Sequence, residues 1–281
     1  MHPIVNEIRE ALRGIYPDSE ALSLAKMLLV EAFGFSTLEL YGGKDKEISG
    51  NRRDDLDKML SRLLKNEPIQ YVLGKETFCG LDFEVDCNVL IPRPETRELV
   101  EWIVADRKSS ASSHILDIGT GSGCISISLA KFLQGSKVEA WDISQGALDV
   151  ARRNAERNGV EVLFRHQDVL DALPGGAIYD VIVSNPPYIT EKEKSDMDAN
   201  VLDWEPSTAL FVPDADPLLF YRKIAELGLS MLKTGGALYF EINRAYGQET
   251  INMLESLNYS QIELRKDGWG NDRMIKACKL C

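Results

Sequence analysis

From residue 114 to residue 258, short apolar runs alternate with stretches of helical periodicity, and this alternation restricts the fold more than any other feature. HILDIG, KVEAWD, VEVLFRHQD, DVIVSN and ALYFEI read as strands, and 123–134, 144–158, 217–232 and 247–258 read as helices with apolar residues three and four apart. Strands separated by helices of this length form parallel neighbours, which predicts an α/β fold with a mostly parallel sheet covered on both faces. The last two apolar runs, QIELRKD and DRMIKACK, are joined only by GWGN, so they predict an antiparallel hairpin closing one edge.

The first third has another texture. IVNEIREALRG, SEALSLAKMLLVEAFG and RRDDLDKMLSRLLKN carry helical periodicity, with Asp18-Ser19 and Asn51 as N-terminal caps. GKETFCGLDFEVDCNVLIP then alternates apolar and polar residues around Gly80, as a β-hairpin does, and Pro92 and Pro94 mark a boundary. The expected organisation is a helical domain over 1–73, a hairpin linker over 74–92 and an α/β domain over 93–281.

Composition excludes several classes. With 44% hydrophobic and 27% charged residues, the chain of 281 residues has globular proportions. Its apolar runs fall short of the roughly 20 residues that span a bilayer. The N-terminus is amphipathic and mixed in charge, unlike a secretory signal, so a cytoplasmic location is expected. Five scattered cysteines argue against a disulfide framework, and Cys278 and Cys281 alone have metal or redox spacing without a second pair, so no metal site is expected. The formal net charge of −12 weighs against a nucleic-acid backbone as the direct partner.

LDIGTGSGCISISLA, residues 116–130, is a strand, a glycine turn and a helix start. Gly119, Gly121 and Gly123 permit a sharp turn and close approach of a ligand, with Thr120 and Ser122 between them. Asp117 precedes the turn, and Asp142 ends the next strand, where an acid accepts hydrogen bonds from both hydroxyls of a ribose. That geometry serves NAD(H) or an adenosyl ligand. The spacing G-T-G-S-G departs from the dinucleotide G-x-G-x-x-G and is the form common among S-adenosylmethionine enzymes. Asp168, at a third strand end, is open to two roles: a neighbour of the adenine amine or a helix cap.

DVIVSNPPYIT, residues 180–190, ends a strand on Asn185-Pro186-Pro187-Tyr188. Methyl transfer to an amide or aromatic amine must overcome a delocalised lone pair. Two acceptors aimed at its N–H groups favour the pyramidal nitrogen of the transition state. The Asn185 Oδ1 and the Pro186 carbonyl are candidates for that task, the prolines hold the segment extended, and Tyr188 is a candidate to lie flat against the acceptor.

Beyond NPPY, the chain resembles release-factor glutamine N5-methyltransferases of the PrmC/HemK family in EPIQYVLGKETFCGLDFEV (67–85), VLIPRPET (89–96), DIGTGSGCI (117–125), EPSTALF (205–211), LLFYRKI (218–224) and GNDRMIKA (270–277). The resemblance implies a helical substrate-docking domain and a class I methyltransferase domain of Rossmann-like fold. It implies methyl transfer from S-adenosylmethionine, leaving S-adenosylhomocysteine, to the glutamine of the Gly-Gly-Gln loop of class I peptide-chain release factors. A monomer is expected. Carried over by motif, Gly119, Thr120, Gly121, Ser122, Gly123, Asp142, Val169 and Asn185 bind the cofactor. Asn185, Pro186, Pro187 and Tyr188 frame the glutamine, with Asn185, Pro186 and Tyr188 catalytic. Relatives often carry tryptophan at the position of Val169, so stacking on the adenine is lost here. Arg97 stands where the family pattern has an acid, and no role is assigned to it.

Three rival readings remain. A DNA or RNA adenine N6-methyltransferase would use the same tetrapeptide on a flipped base and would need a basic cleft. An NAD(H) oxidoreductase would need the spaced third glycine. A non-catalytic binding module would have no use for an intact tetrapeptide and ribose acid.

Overall fold

The computed structural model describes residues 1–42, 48–108, 110 and 112–280. Cys281, one half of the cysteine pair noted above, lies outside the described residues. The chain divides into two compact units: Met1–Lys75 with Asp198–Trp204, and Glu76–Met197 with Glu205–Cys281.

The first unit holds α1 (Pro3–Ala11), α2 (Asp18–Phe33), α3 (Thr37–Gly42), α4 (Asn51–Leu63) and α5 (Ile69–Leu73). Apolar residues at helical spacing bury Val5, Ile8, Leu28, Leu29, Leu56 and Leu63 in one core. Each such side chain contributes about 1.5–3 kcal/mol on burial. The expected caps are displaced by one residue. Pro17 and Gly50 precede α2 and α4, and neither helix has a side-chain cap. Asp18 is instead the first residue of α2, where its charge suits the helix dipole and its Oδ1 accepts from Arg9 Nε at 2.6 Å.

The second unit takes in β1 (Lys75–Phe78) from its second residue and β2 (Leu81–Glu84), followed by α6 (Pro94–Arg107), β3 (His114–Ile118), α7 (Cys124–Phe132), β4 (Lys137–Asp142), α8 (Gln145–Asn158), β5 (Leu163–His166) and β6 (Tyr179–Ser184). Short elements come next: β7 (Ile189–Thr190), α9 (Ala199–Trp204), which is part of the first unit, α10 (Ser207–Leu210) and β8 (Phe211–Val212). The unit closes with α11 (Leu219–Met231), β9 (Leu232–Glu241), α12 (Gly247–Ser256), β10 (Tyr259–Lys266) and β11 (Asp272–Lys279). Two elements differ from expectation. The run at 160–168 forms ladder pairs only over Leu163–His166, at the sheet edge, and β9 starts at Leu232, before the apolar run that marks it in the sequence. The hairpin β1–β2 is more than a spacer, because Phe78 and Phe83 are buried in the core of this unit.

Seven strands pair in the order β10-β11-β9-β6-β3-β4-β5. β9, β6, β3, β4 and β5 are parallel, and β11 runs antiparallel to β9 and β10. The side-chain period of 2 sends alternate residues to opposite faces. Leu116, Ile182, Leu238 and Phe240 pack with α11 and α12. Ile115, Val181, Val183 and Tyr239 pack with α6 and α7. Strand order runs one way from β3 through β4 to β5 and the other way through β6 to β9. A crevice therefore opens beyond the carboxyl ends of β3 and β6, the switch point at which open α/β sheets bind ligands.

Candidate functional site

The loops after β3 and β6 meet at that switch point. Gly119, Gly121 and Gly123 have φ of 76°, 54° and 82°. The Gly121 N–H donates to Asp142 Oδ2 at 2.8 Å, and the Ser144 N–H donates to Asp142 Oδ1 at 2.9 Å. Burial raises the carboxyl pKa of Asp142, while these backbone donors oppose the rise. Each oxygen keeps accepting capacity for a further donor. A cavity of about 330 Å³ lies beside it, lined by Gly119, Thr120, Gly121, Ser122, Asp142 and Val169, and by Asn185, Pro186 and Pro187.

Gly123, expected as a cofactor contact, is not on the cavity wall. A Cβ there would lie 2.6 Å from Cδ1 of Ile127, one turn along α7 itself, and 3.3 Å from Ala151 Cβ on α8, so this glycine makes room for helix packing at the start of α7. Asp117 is fully buried and also off the wall. It accepts from Thr120 Oγ1 at 2.6 Å and from the Ser126 N–H at 3.2 Å, tying the end of β3 to the first turn of α7. Burial pushes its pKa up to about 6 against those two bonds. Asp168 caps no helix: its Oδ1 accepts the Leu170 N–H at 2.8 Å in a local turn that places Val169 and Leu170 on the cavity wall.

At the β6 end, the Ser184 hydroxyl donates to the Ile118 carbonyl at 2.6 Å, which binds the two strand ends together. Asn185 Nδ2 donates to Thr96 Oγ1 at 3.3 Å, and that hydroxyl donates to Glu241 Oε2 at 2.6 Å. Tyr188 corrects its expectation. Its ring packs against the core under α11 and its hydroxyl donates to Glu241 Oε1 at 3.3 Å, so it is not among the residues lining the cavity. Burial, with the Glu241 charge beside it, pushes the Tyr188 phenol well above its ordinary pKa. Asn243 Nδ2 donates to the Tyr188 carbonyl at 3.0 Å, fixing the segment beyond the prolines.

The IPRPET segment forms another wall. Arg93 Nη2 pairs with Glu205 Oε1 at 2.5 Å, and the Ile91 N–H donates to Glu205 Oε2 at 3.1 Å. Arg93, Thr96, Pro206 and Thr208 line the same cavity. Arg97 is exposed and faces Glu101 at 3.5 Å, away from this chemistry.

The family model "PrmC N-terminal domain" matches residues 4–74, and "Methyltransferase small domain" matches 95–203. The release factor glutamine methyltransferase of Bacteroides thetaiotaomicron is 52% identical over 99% of both chains. That of Flavobacterium psychrophilum is 44% identical over 95% of both. The chain belongs to the release factor glutamine methyltransferase family. Its fold is shared more widely: a methyltransferase from Pyrococcus furiosus, 21% identical, superposes with a TM-score of 0.53 over 82% of this chain and 99% of that one.

For this member of the release factor glutamine methyltransferase family, sequence reasoning missed the groups that hold the site in place. Thr96 and Glu205 lie inside the quoted motifs IPRPET and EPSTALF, which gave the only signal for them. Glu241, the last residue of β9, sat unnoticed at the end of ALYFEI. Asn154, within the helix expected over 144–158, is fully buried. Its Nδ2 donates to the Ser122 and Glu84 carbonyls at 2.9 and 3.0 Å, and its Oδ1 accepts the Glu84 N–H at 2.6 Å. It thereby ties the glycine turn to the hairpin.

Proposed function

We propose that this protein transfers a methyl group from S-adenosylmethionine to the side-chain amide nitrogen of the glutamine in the Gly-Gly-Gln loop of class I peptide-chain release factors. The observation that carries the reading is that one cavity at the switch point is walled by both the glycine turn with Asp142 and the Asn185-Pro186-Pro187 segment.

The cavity fits such a cofactor. Gly119 and Gly121 present backbone with open space where a Cβ would stand. Asp142 offers oxygens for ribose hydroxyls, and Ile143, Val169 and Leu170 make an apolar wall suited to a purine. The cofactor supplies an electrophilic methyl carbon on a sulfonium, so the protein needs no strong acid and no metal. Asn185 Oδ1 and the Pro186 carbonyl accept the two amide N–H groups of the glutamine. They favour the pyramidal nitrogen over the delocalised amide and so stabilise the transition state more than the ground state. Pro186 and Pro187 keep that acceptor pair extended. Tyr188 contributes from behind, by holding the tetrapeptide against Glu241.

The helical unit docks the body of the release factor. The enzyme acts as a monomer in the cytoplasm; no helix among the described residues is long and apolar enough to cross a membrane. A nucleic-acid base is the weaker substrate for a chain of net charge −12, since phosphate backbones are gripped by basic surfaces. Mass spectrometry of the Gly-Gly-Gln peptide, after incubation of release factor with enzyme and cofactor, tests the reading. A gain of one methyl on the glutamine is expected. An unmodified glutamine under conditions where cofactor binds refutes it.

A further inference from the structure

We propose that Glu241 is the positioning residue of this site: through the Thr96 hydroxyl it sets which way the Asn185 amide faces, and it anchors Tyr188 directly. The proposal rests on the methyl-transfer reading above and adds to it the element that aims its acceptor.

Proton counting decides the orientation. Glu241 is 1% exposed, and as a carboxylate it only accepts hydrogen bonds. Thr96, itself 2% exposed, has one hydroxyl proton, and the 2.6 Å contact to Glu241 Oε2 uses it. Toward Asn185, at 3.3 Å, the Thr96 oxygen can therefore only accept. The Asn185 amide must then turn its NH₂ to Thr96, and its oxygen is left for the substrate. Tyr188 likewise has one proton, which goes to Glu241 Oε1. One carboxylate thus orients both flanks of the tetrapeptide, from α6 on one side and β9 on the other.

The groups facing Glu241 are Thr96 and Glu95 on α6, Cys124 at the start of α7, Tyr188, Tyr221 on α11 and Arg273 on β11. Burial raises its pKa; the Thr96 and Tyr188 hydroxyls and the Arg273 charge oppose this, and Glu95 adds to it. Protonation turns one acceptor oxygen into a donor. A proton on Oε2 would point at Thr96, free the threonine proton for Asn185 Oδ1, and reverse the amide.

The test compares Thr96→Val, Thr96→Ser and Glu241→Gln with the wild type. It measures methyl transfer to a release factor carrying the Gly-Gly-Gln loop, cofactor affinity by calorimetry, and folding by circular dichroism. Thr96→Val should lower kcat by about 100-fold, the scale of losing one transition-state partner, with cofactor Kd unchanged, whereas Glu241→Gln, whose amide oxygen can still accept the Thr96 proton while its NH₂ faces Tyr188, should lose less. Thr96→Ser, which keeps the hydroxyl, should run near the wild-type rate. The wild-type kcat should fall toward acid with a midpoint above that of an ordinary glutamate, and Glu241→Gln should lack that limb. Folded Thr96→Val protein with wild-type kcat overturns the proposal, as does Thr96→Ser protein as slow as Thr96→Val. If Glu241→Gln fails to fold, the Thr96 pair decides alone. A wild-type enzyme that binds cofactor yet leaves the glutamine unmethylated sinks the functional reading instead.

Discussion

Replacing Gly121 and Gly123 by alanine separates two roles that the repeated glycine of GTGSG conceals. Both residues have positive φ, 54° and 82°, so either alanine carries the left-handed penalty of about 1–2 kcal/mol. Around Gly121 nothing lies within 4 Å of the added Cβ, which enters open space at the cavity wall. Around Gly123 the new methyl meets Ile127 Cδ1 at 2.6 Å and Ala151 Cβ at 3.3 Å. Both neighbours are fully buried, so the tip of Ile127 must turn aside within the core to admit the methyl. Overpacking of this kind costs about 1–3 kcal/mol more, so Gly123→Ala should destabilise the second unit by about 2–5 kcal/mol in all. Against typical domain stabilities of about 5–15 kcal/mol this is a large share. Hydrogen exchange at β3 and β6 amides during mild denaturation reads the second unit apart from the helical one. Calorimetry reads cofactor affinity. Gly121→Ala should lose cofactor affinity at a stability cost of only the left-handed penalty, about 1–2 kcal/mol, whereas Gly123→Ala should lose more stability than that while keeping more of its affinity. Equal stability losses for the two, or lost affinity with full stability in Gly123→Ala, would refute the assignment of the third glycine to helix packing.

Three further outcomes are expected. Asp142→Ala should weaken cofactor binding by about 1–3 kcal/mol, the worth of charge-assisted bonds, whereas Asn185→Ala should abolish transfer with modest loss of binding; titration beside single-turnover rates distinguishes them. Asp117 is protonated more readily folded than unfolded, its pKa rising from 3.8 to about 6. Its contribution of about 3 kcal/mol is therefore present below about pH 4 and lost as pH rises through about 6, and denaturation midpoints of Asp117→Asn protein should lack that decline. Arg93→Ala leaves Glu205, whose side chain is 1% exposed, without its cation. It should cost about 3–5 kcal/mol in unfolding experiments, and Glu205→Gln added to it should restore part of the loss.

The parallel sheet, the closing hairpin, the glycine turn and the abrupt stop at Asn185 were legible because each is written in contiguous residues. A period of 2 or 3.6, a φ that only glycine adopts freely, and a proline that cannot donate are local properties of the chain. That locality also explains the errors. GTGSG does not say which glycine faces a ligand and which faces a helix, because Ala151 reaches Gly123 only after α8 has packed against α7. NPPY does not say where its tyrosine points, because Glu241 arrives from β9, 53 residues further along. Thr96 and Glu241 are 145 residues apart, and Arg93 and Glu205 are 112 apart. Separations of that length leave no periodic trace in a sequence. The sequence by itself determined the kinds of element, their order and the two loops that line the cavity. Only the tertiary structure decided which buried carboxylate stands between Thr96 and Tyr188, since the partners of Glu241 are brought to it by several distant elements.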